Sequence, residues 1–238
     1  MNPNLEMQVS KTRAGIFTVT YGRIEALLDV QEASFAANGL DLISPPQLGF
    51  LRAKKSKGTF MPYSRTNADV LYDDRHSKVV VVPNEALSAQ FGIANLVEAH
   101  RQGREYVIPE NQRDLVYALA DEMLRKGTAF TWSHGRTYIP VSEFGKTELT
   151  YKLFSDEGLG IKAQDYGDWL KGQGIGAQSL FFNDAGYAKS QKGPYVTRVR
   201  VVGPGGDFDV VGDDGILDND DGAFGVRFEK TAEGGAKK

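Results

Sequence analysis

The chain has 238 residues, 41% apolar and 25% charged, enough to bury a full core as one large domain or two small ones. A formal charge of −3 argues against a nucleic-acid binder, and the lack of cysteine excludes a disulfide framework, thiolate metal sites and cysteine nucleophiles. No apolar run approaches the ~20 residues that span a bilayer, and Met1 to Thr12 lacks the apolar stretch of a signal peptide, so cytoplasmic is the default placement.

Taken in chain order, Ile16 to Tyr21 alternates apolar and polar residues and reads as a strand. Gly22 to Asn38 reads as a helix, with Ile24, Leu27 and Leu28 at helical spacing and Asn38-Gly39 as its stop. Pro45-Pro46 breaks the chain, and Lys54 to Arg65 is a basic, loop-like stretch. Lys78 to Val82 is a buried strand; Asn84 caps a short helix through Gln90, and another helix covers Ala94 to Arg101. The clearest helix opens at Pro109 and stops at Gly127, with Val116, Leu119 and Met123 on one face. Thr137 to Pro140 reads as a strand, and Glu148 to Phe154 and Ala163 to Leu170 as helices, the last pairing Tyr166 with Trp169.

After Gly174 the pattern changes to strands around Ser179 to Phe182, Tyr195 to Val202, Asp207 to Val211 and Ala223 to Phe228, with Gly-rich turns between them. Helices in the first two-thirds and strands in the last third predict an α+β protein. Residues 13–230 form one expected domain, with flexible termini at 1–12 and 231–238.

Motifs that carry chemistry fail in turn. Neither register of Asp213 to Gly222 supplies the acids and terminal Glu of an EF-hand, so a metal site is not expected there. Gly203-Pro204-Gly205-Gly206 lacks the Gly-Lys-Ser/Thr of a phosphate loop and precedes a strand. His76 and His100 lack ligand spacing, and Ser133-His134 makes no triad. Asp165 and Asp168 could flank a glycosidic bond, but a solvated helix face accounts for them. No enzyme and no cofactor is expected.

The most informative stretch is 193–228. It contains seven Asp and no Glu, Lys, Gln, Met or Trp, although those five types supply 44 of the 238 residues. Thirty-six residues without any of them arise by chance roughly once in a thousand at that composition. Turn-rich β segments avoid straight-chain residues for their own reasons, which is the competing explanation. The five types are also those that no codon ending in a pyrimidine encodes. The window carries a net charge of −4, against about +1 elsewhere.

The closing Gly222-Ala-Phe-Gly-Val-Arg-Phe228, after an Asp/Gly-rich loop, resembles the end of C-type-lectin-fold proteins. With the missing residue types, it resembles more specifically the variable proteins of diversity-generating retroelements, in their archaeal, Nanoarchaeota-type branch. In such systems errors at template adenines turn AAY codons into NNY codons, which never encode those five types. The resemblance is carried by residues 185–230. It implies a C-type lectin-like fold and a non-enzymatic ligand-binding protein whose C-terminal surface is diversified, free of metal and cofactor, and open to display at a cell or virion surface.

The positions this implies are Arg198, Arg200, Val202, Gly203, Pro204, Gly205, Gly206, Asp207, Asp209, Val211, Asp213, Asp214, Ile216, Asp218, Asn219, Asp220 and Asp221. Tyr195, Val199, Phe208, Phe224 and Val226 should hold the scaffold. The expected partner is a protein or surface ligand of basic or polar character, with no nucleic acid and no membrane insertion, bound weakly unless presented multivalently. The alternative is a lectin-like or carbohydrate-active protein of fixed specificity that uses calcium at the acidic loop.

Overall fold

The computed structural model describes residues 7–55, 60, 64–73, 75, 77–102, 104–201, 209–212 and 222–231. Strands β1 (Ser10–Ala14) and β2 (Phe17–Glu25) form a hairpin, followed by α1 (Leu28–Ala37), β3 (Asp41–Leu42) and α2 (Pro45–Lys54). Next come β4 (Ser64–Tyr72), β5 (Lys78–Val82), α3 (Ile93–Arg101) and α4 (Glu110–Lys126). After β6 (Phe130–Ser133) and β7 (Gly135–Pro140) lie α5 (Glu148–Phe154) and α6 (Ala163–Gly172). The chain ends with β8 (Ala177–Phe182), α7 (Ala185–Ser190), β9 (Tyr195–Val201), β10 (Asp209–Gly212) and β11 (Gly222–Lys230).

All the described strands join one sheet, ordered β1-β2-β11-β4-β9-β10-β8-β7, with β3 beside β11 and β5 linking β4 to β6. Pairing is antiparallel except between β10 and β8 and at the single contact of β11 with β4. Helices alternate with strands along the whole chain: β1 to β7 precede α6, and α6 and α7 lie in the last third. The expected separation of N-terminal helices from C-terminal strands therefore does not occur. The C-type lectin-like α+β assignment is corrected to a mixed α/β fold around one mostly antiparallel sheet. Its sequence basis was the strand-rich C-terminus, whereas β1 and most of β4 offer no apolar alternation to count and β6 alternates over only four residues.

Both faces of the sheet are covered. Along β5, Val79 and Val81 enter one core with α2, α5 and α6 residues, while Val80 and Val82 enter the other beside α1, α3 and α4 residues. That two-sided burial explains a continuous run of valines where a one-sided strand would alternate. Tyr166 and Trp169 stack at 5.5 Å, as their spacing implies, and a Cβ at Gly167 would lie 2.6 Å from the Cβ of Phe144. Glycine is thus required in α6 by packing against the turn that follows β7.

Three local departures have physical causes. Pro45-Pro46 opens α2 instead of breaking the chain, because a first helical turn has no use for those N–H groups; Ser44 and Gln47 complete a capping box. The strand β2 runs on to Glu25 because its whole length pairs with β11, so the helix starts six residues later than its spacing suggests. Ser10 to Thr12 and Thr231 are also tied in: the first three pair with β2, and the N–H of Thr231 donates to the carbonyl of Ile16 at 2.8 Å. At α4 the reading holds, with Gly127 in the left-handed region at φ 72° closing the helix.

Candidate functional site

A cleft of about 550 Å³ opens where α1, β3 and the start of α2 meet Asn67 of β4, the turn after β5 and the end of α5. Its walls combine Phe35, Leu40, Leu42, Pro46 and Pro83 with the carboxylates of Glu32, Asp41, Glu85 and Asp156; no lysine or arginine lines it among the described residues. Its size and mixed lining suit a small ligand or a side chain of a larger one. The cleft lies against the C-terminal strands, since Leu42 and Asp41 pair with Gly225 and Val226 of β11.

Arg198 of β9 runs beneath it. The guanidinium reaches Asp69 at 3.2 Å, Glu32 at 3.2 Å and Glu85 at 3.4 Å, joining β9, β4, α1 and the turn after β5. Asp69 is fully buried and also accepts the backbone N–H groups of Leu87 and Ser88 at 3.0 and 2.8 Å. Three carboxylates thus share one cation, an arrangement that leaves net negative charge facing the cleft. Burial pushes the Glu32 carboxyl up to about 7; Arg198 opposes the shift, while Glu85, Asp69 and Asp29 add to it. Burial likewise pushes Asp69 up to about 6 against the pull of Arg198 and its amide donors.

A second groove of about 460 Å³ adjoins the first and shares Ser155 with it. Tyr151, Glu157, Lys162 and Gln164 line it, and the Tyr151 hydroxyl donates to Glu157 at 2.8 Å.

The expected ligand-facing positions divide between described and undescribed parts. Arg198 is 2% exposed and serves as the internal clasp just described, so it does not face solvent. Arg200 is half-buried and pairs with Val211 across β9 and β10. Asp209 and Val211 lie on β10, their side chains outside the described residues. Val202, Gly203, Pro204, Gly205, Gly206, Asp207, Asp213, Asp214, Ile216, Asp218, Asn219, Asp220 and Asp221 all lie outside the described residues, as does Phe208. The other expected scaffold residues, Tyr195, Val199, Phe224 and Val226, are at most 2% exposed.

Of the weaker candidates, His134 bonds through Nδ1 to the carbonyl of Asn183 at 2.8 Å and packs beside Tyr72. Asp168 is exposed and accepts from Gln164, while His76 and the side chain of His100 lie outside the described residues. Among the described residues no group of three or more His, Asp or Glu is placed to hold a metal ion. No described helix is long and apolar enough to cross a membrane.

Sequence reading missed the cleft entirely. Its acids come from α1, β3, the turn after β5 and the residues after α5, spread over more than a hundred positions, and no local spacing marks them. Comparison with protein-family models, curated proteins and solved structures gives no match.

Proposed function

We propose that this is a non-enzymatic binding protein of the kind diversified by retroelements, with its variable ligand surface built from 202–208 and 213–221. One observation carries the reading: both stretches are bounded by paired strands. Val201 pairs with Ser64 and Val210, and the Ser64 hydroxyl accepts the N–H of Phe224 at 3.3 Å, so the end of β9, the start of β4 and the start of β11 converge. Arg52, fully buried, fastens this corner through the carbonyls of Val201 and Phe60 at 3.3 and 2.9 Å and the Tyr166 hydroxyl at 3.2 Å. Residues hung on such a frame can change at little cost to the core.

Burial narrows the compositional argument. Lysine, glutamate and glutamine are rare at fully buried strand positions, so their absence from β9 and from the buried Gly222 to Val226 of β11 has an ordinary cause. What is left is the sixteen residues of 202–208 and 213–221, with six Asp and none of the five types. Such a stretch arises by chance roughly once in 25 at the chain's composition. The gene therefore provides the deciding test. Codons in the two stretches should end in T or C, and a near-copy carrying AAY at the same positions should lie nearby. Purine-ending codons at most of these positions would sink the proposal.

A further inference from the structure

We infer that the paired grooves on either side of Ser155 form an interaction surface for an extended basic segment of a partner protein, one Lys or Arg side chain of which enters the cleft. The described residues that line it lie outside 202–208 and 213–221, and the inference does not depend on their diversification.

Charge complementarity selects the occupant. Glu32, Asp41, Glu85 and Asp156 line the cleft with no lysine or arginine among its described lining residues, and Arg198 at its base already serves three carboxylates. Phe35, Leu42, Pro46 and Pro83 offer an apolar wall for the methylene stem of a long cationic side chain. The internal guanidinium shows that Glu32 and Glu85 can be approached by one group at 3.2 and 3.4 Å. A free ammonium or metal ion would use the acids but not the second groove. There Tyr151 is 44% exposed, with its ring steadied by the bond to Glu157, and is placed to take the residues flanking the cation. The two grooves together suit a chain rather than a compact ion.

The probe is a capped peptide, Ac-GGGYRGGG-NH2, compared with its citrulline counterpart by NMR titration of the ¹⁵N-labelled protein at low salt. The arginine peptide should move the amide resonances of Glu32, Asp41, Glu85 and Asp156, and citrulline should weaken binding about tenfold through loss of the charge-assisted bonds. Glu85→Gln should weaken the arginine peptide several-fold and leave citrulline unchanged. Glu85 is half exposed, so its variant should keep the native spectrum. Tyr151→Ala should weaken both peptides alike. Affinity for the arginine peptide should rise from pH 6 to 8 as Glu32 loses its proton, and Glu32→Gln should flatten that rise. Equal binding of the two peptides, no binding of either, or shifts confined to 193–231 would overturn the inference; the last result would move cation recognition to the C-terminal surface.

Discussion

Two acidic regions of this protein are built in opposite ways. The C-terminal one is contiguous, all aspartate, and visible in a composition count; the cleft mixes Glu32, Asp41, Glu85 and Asp156 from four parts of the chain. Arg198 belongs to the first by position and to the second by contact, since its guanidinium lies under the cleft. A window of sequence is therefore not a surface. Strand alternation sends neighbouring residues to opposite sides of the sheet, and only the connections between strands remain free to act as a unit.

Breaking the shared residue should have the largest effect. Arg198→Met leaves Asp69 buried beside amide donors but without its cation, and should cost about 3–5 kcal/mol in urea unfolding. Arg198→Met combined with Asp69→Leu should recover part of that loss, because the stranded charge goes with its partner. A loss below about 1 kcal/mol for the single variant would mean that Arg198 does not hold the cleft together.

Next in size is Gly225→Ala. A Cβ there would lie 2.3 Å from a ring carbon of Phe35, which is 1% exposed on α1 and also lines the cleft. The ring has nowhere to go without moving α1, so overpacking should cost about 1–3 kcal/mol. It should also shift the amide resonances of α1 more than those of β11. This variant tests whether the C-terminal strand sets the width of the cleft.

How much of this was legible depends on where the burial signal lay. The apolar Val79 to Val82, the amphipathic α4 and the Thr147-capped α5 announce themselves through periodicity and end signals. The strand β4 does not. Ser64, Arg65, Thr66 and Asp69 are buried there through polar partners: Arg65 bonds to the carbonyl of Ala26 and to Gln31, and Thr66 bonds to the carbonyl of Val199. A hydrophobicity count reads such a strand as a loop. The cleft was illegible for the same reason, since its chemistry arises from long-range pairing of β3 with β11 and β4 with β9. The scaffold role of Tyr195, Val199, Phe224 and Val226 was legible because each is apolar within a β-prone run.

A smaller effect should appear in the pH dependence of stability. A carboxyl whose folded value is raised binds its proton more tightly in the native state. Its contribution is fully present below about 4.5 and is lost as pH rises toward about 7. Stability measured by urea midpoint should therefore fall between pH 5 and 7.5, and Glu32→Gln should reduce that slope. Asp69, raised to about 6, titrates in the same interval and should leave a residual slope in the variant. Parallel profiles for the two proteins would remove Glu32 from the account and weaken the contrast between a cleft under charge strain and a C-terminal region defined by its composition.

The smallest effect is expected where the sequence is most unusual. Replacing 213–221 by nine Ser, Thr, Asn and Gly residues removes five Asp while leaving Gly212 and Gly222 at the strand ends. The frame around it rests on contacts outside the segment: β11 pairs along its length with β2, and β10 pairs with both β8 and β9. If the segment is a ligand surface that tolerates change, the unfolding free energy should move by no more than about 0.5 kcal/mol. Its removal should also leave the arginine-peptide titration of the cleft unaltered. A loss of about 2 kcal/mol or more would mean that these aspartates help hold the sheet corner at Val201, Ser64 and Phe224. The segment would then be scaffold, and its missing residue types a consequence of packing rather than of diversification.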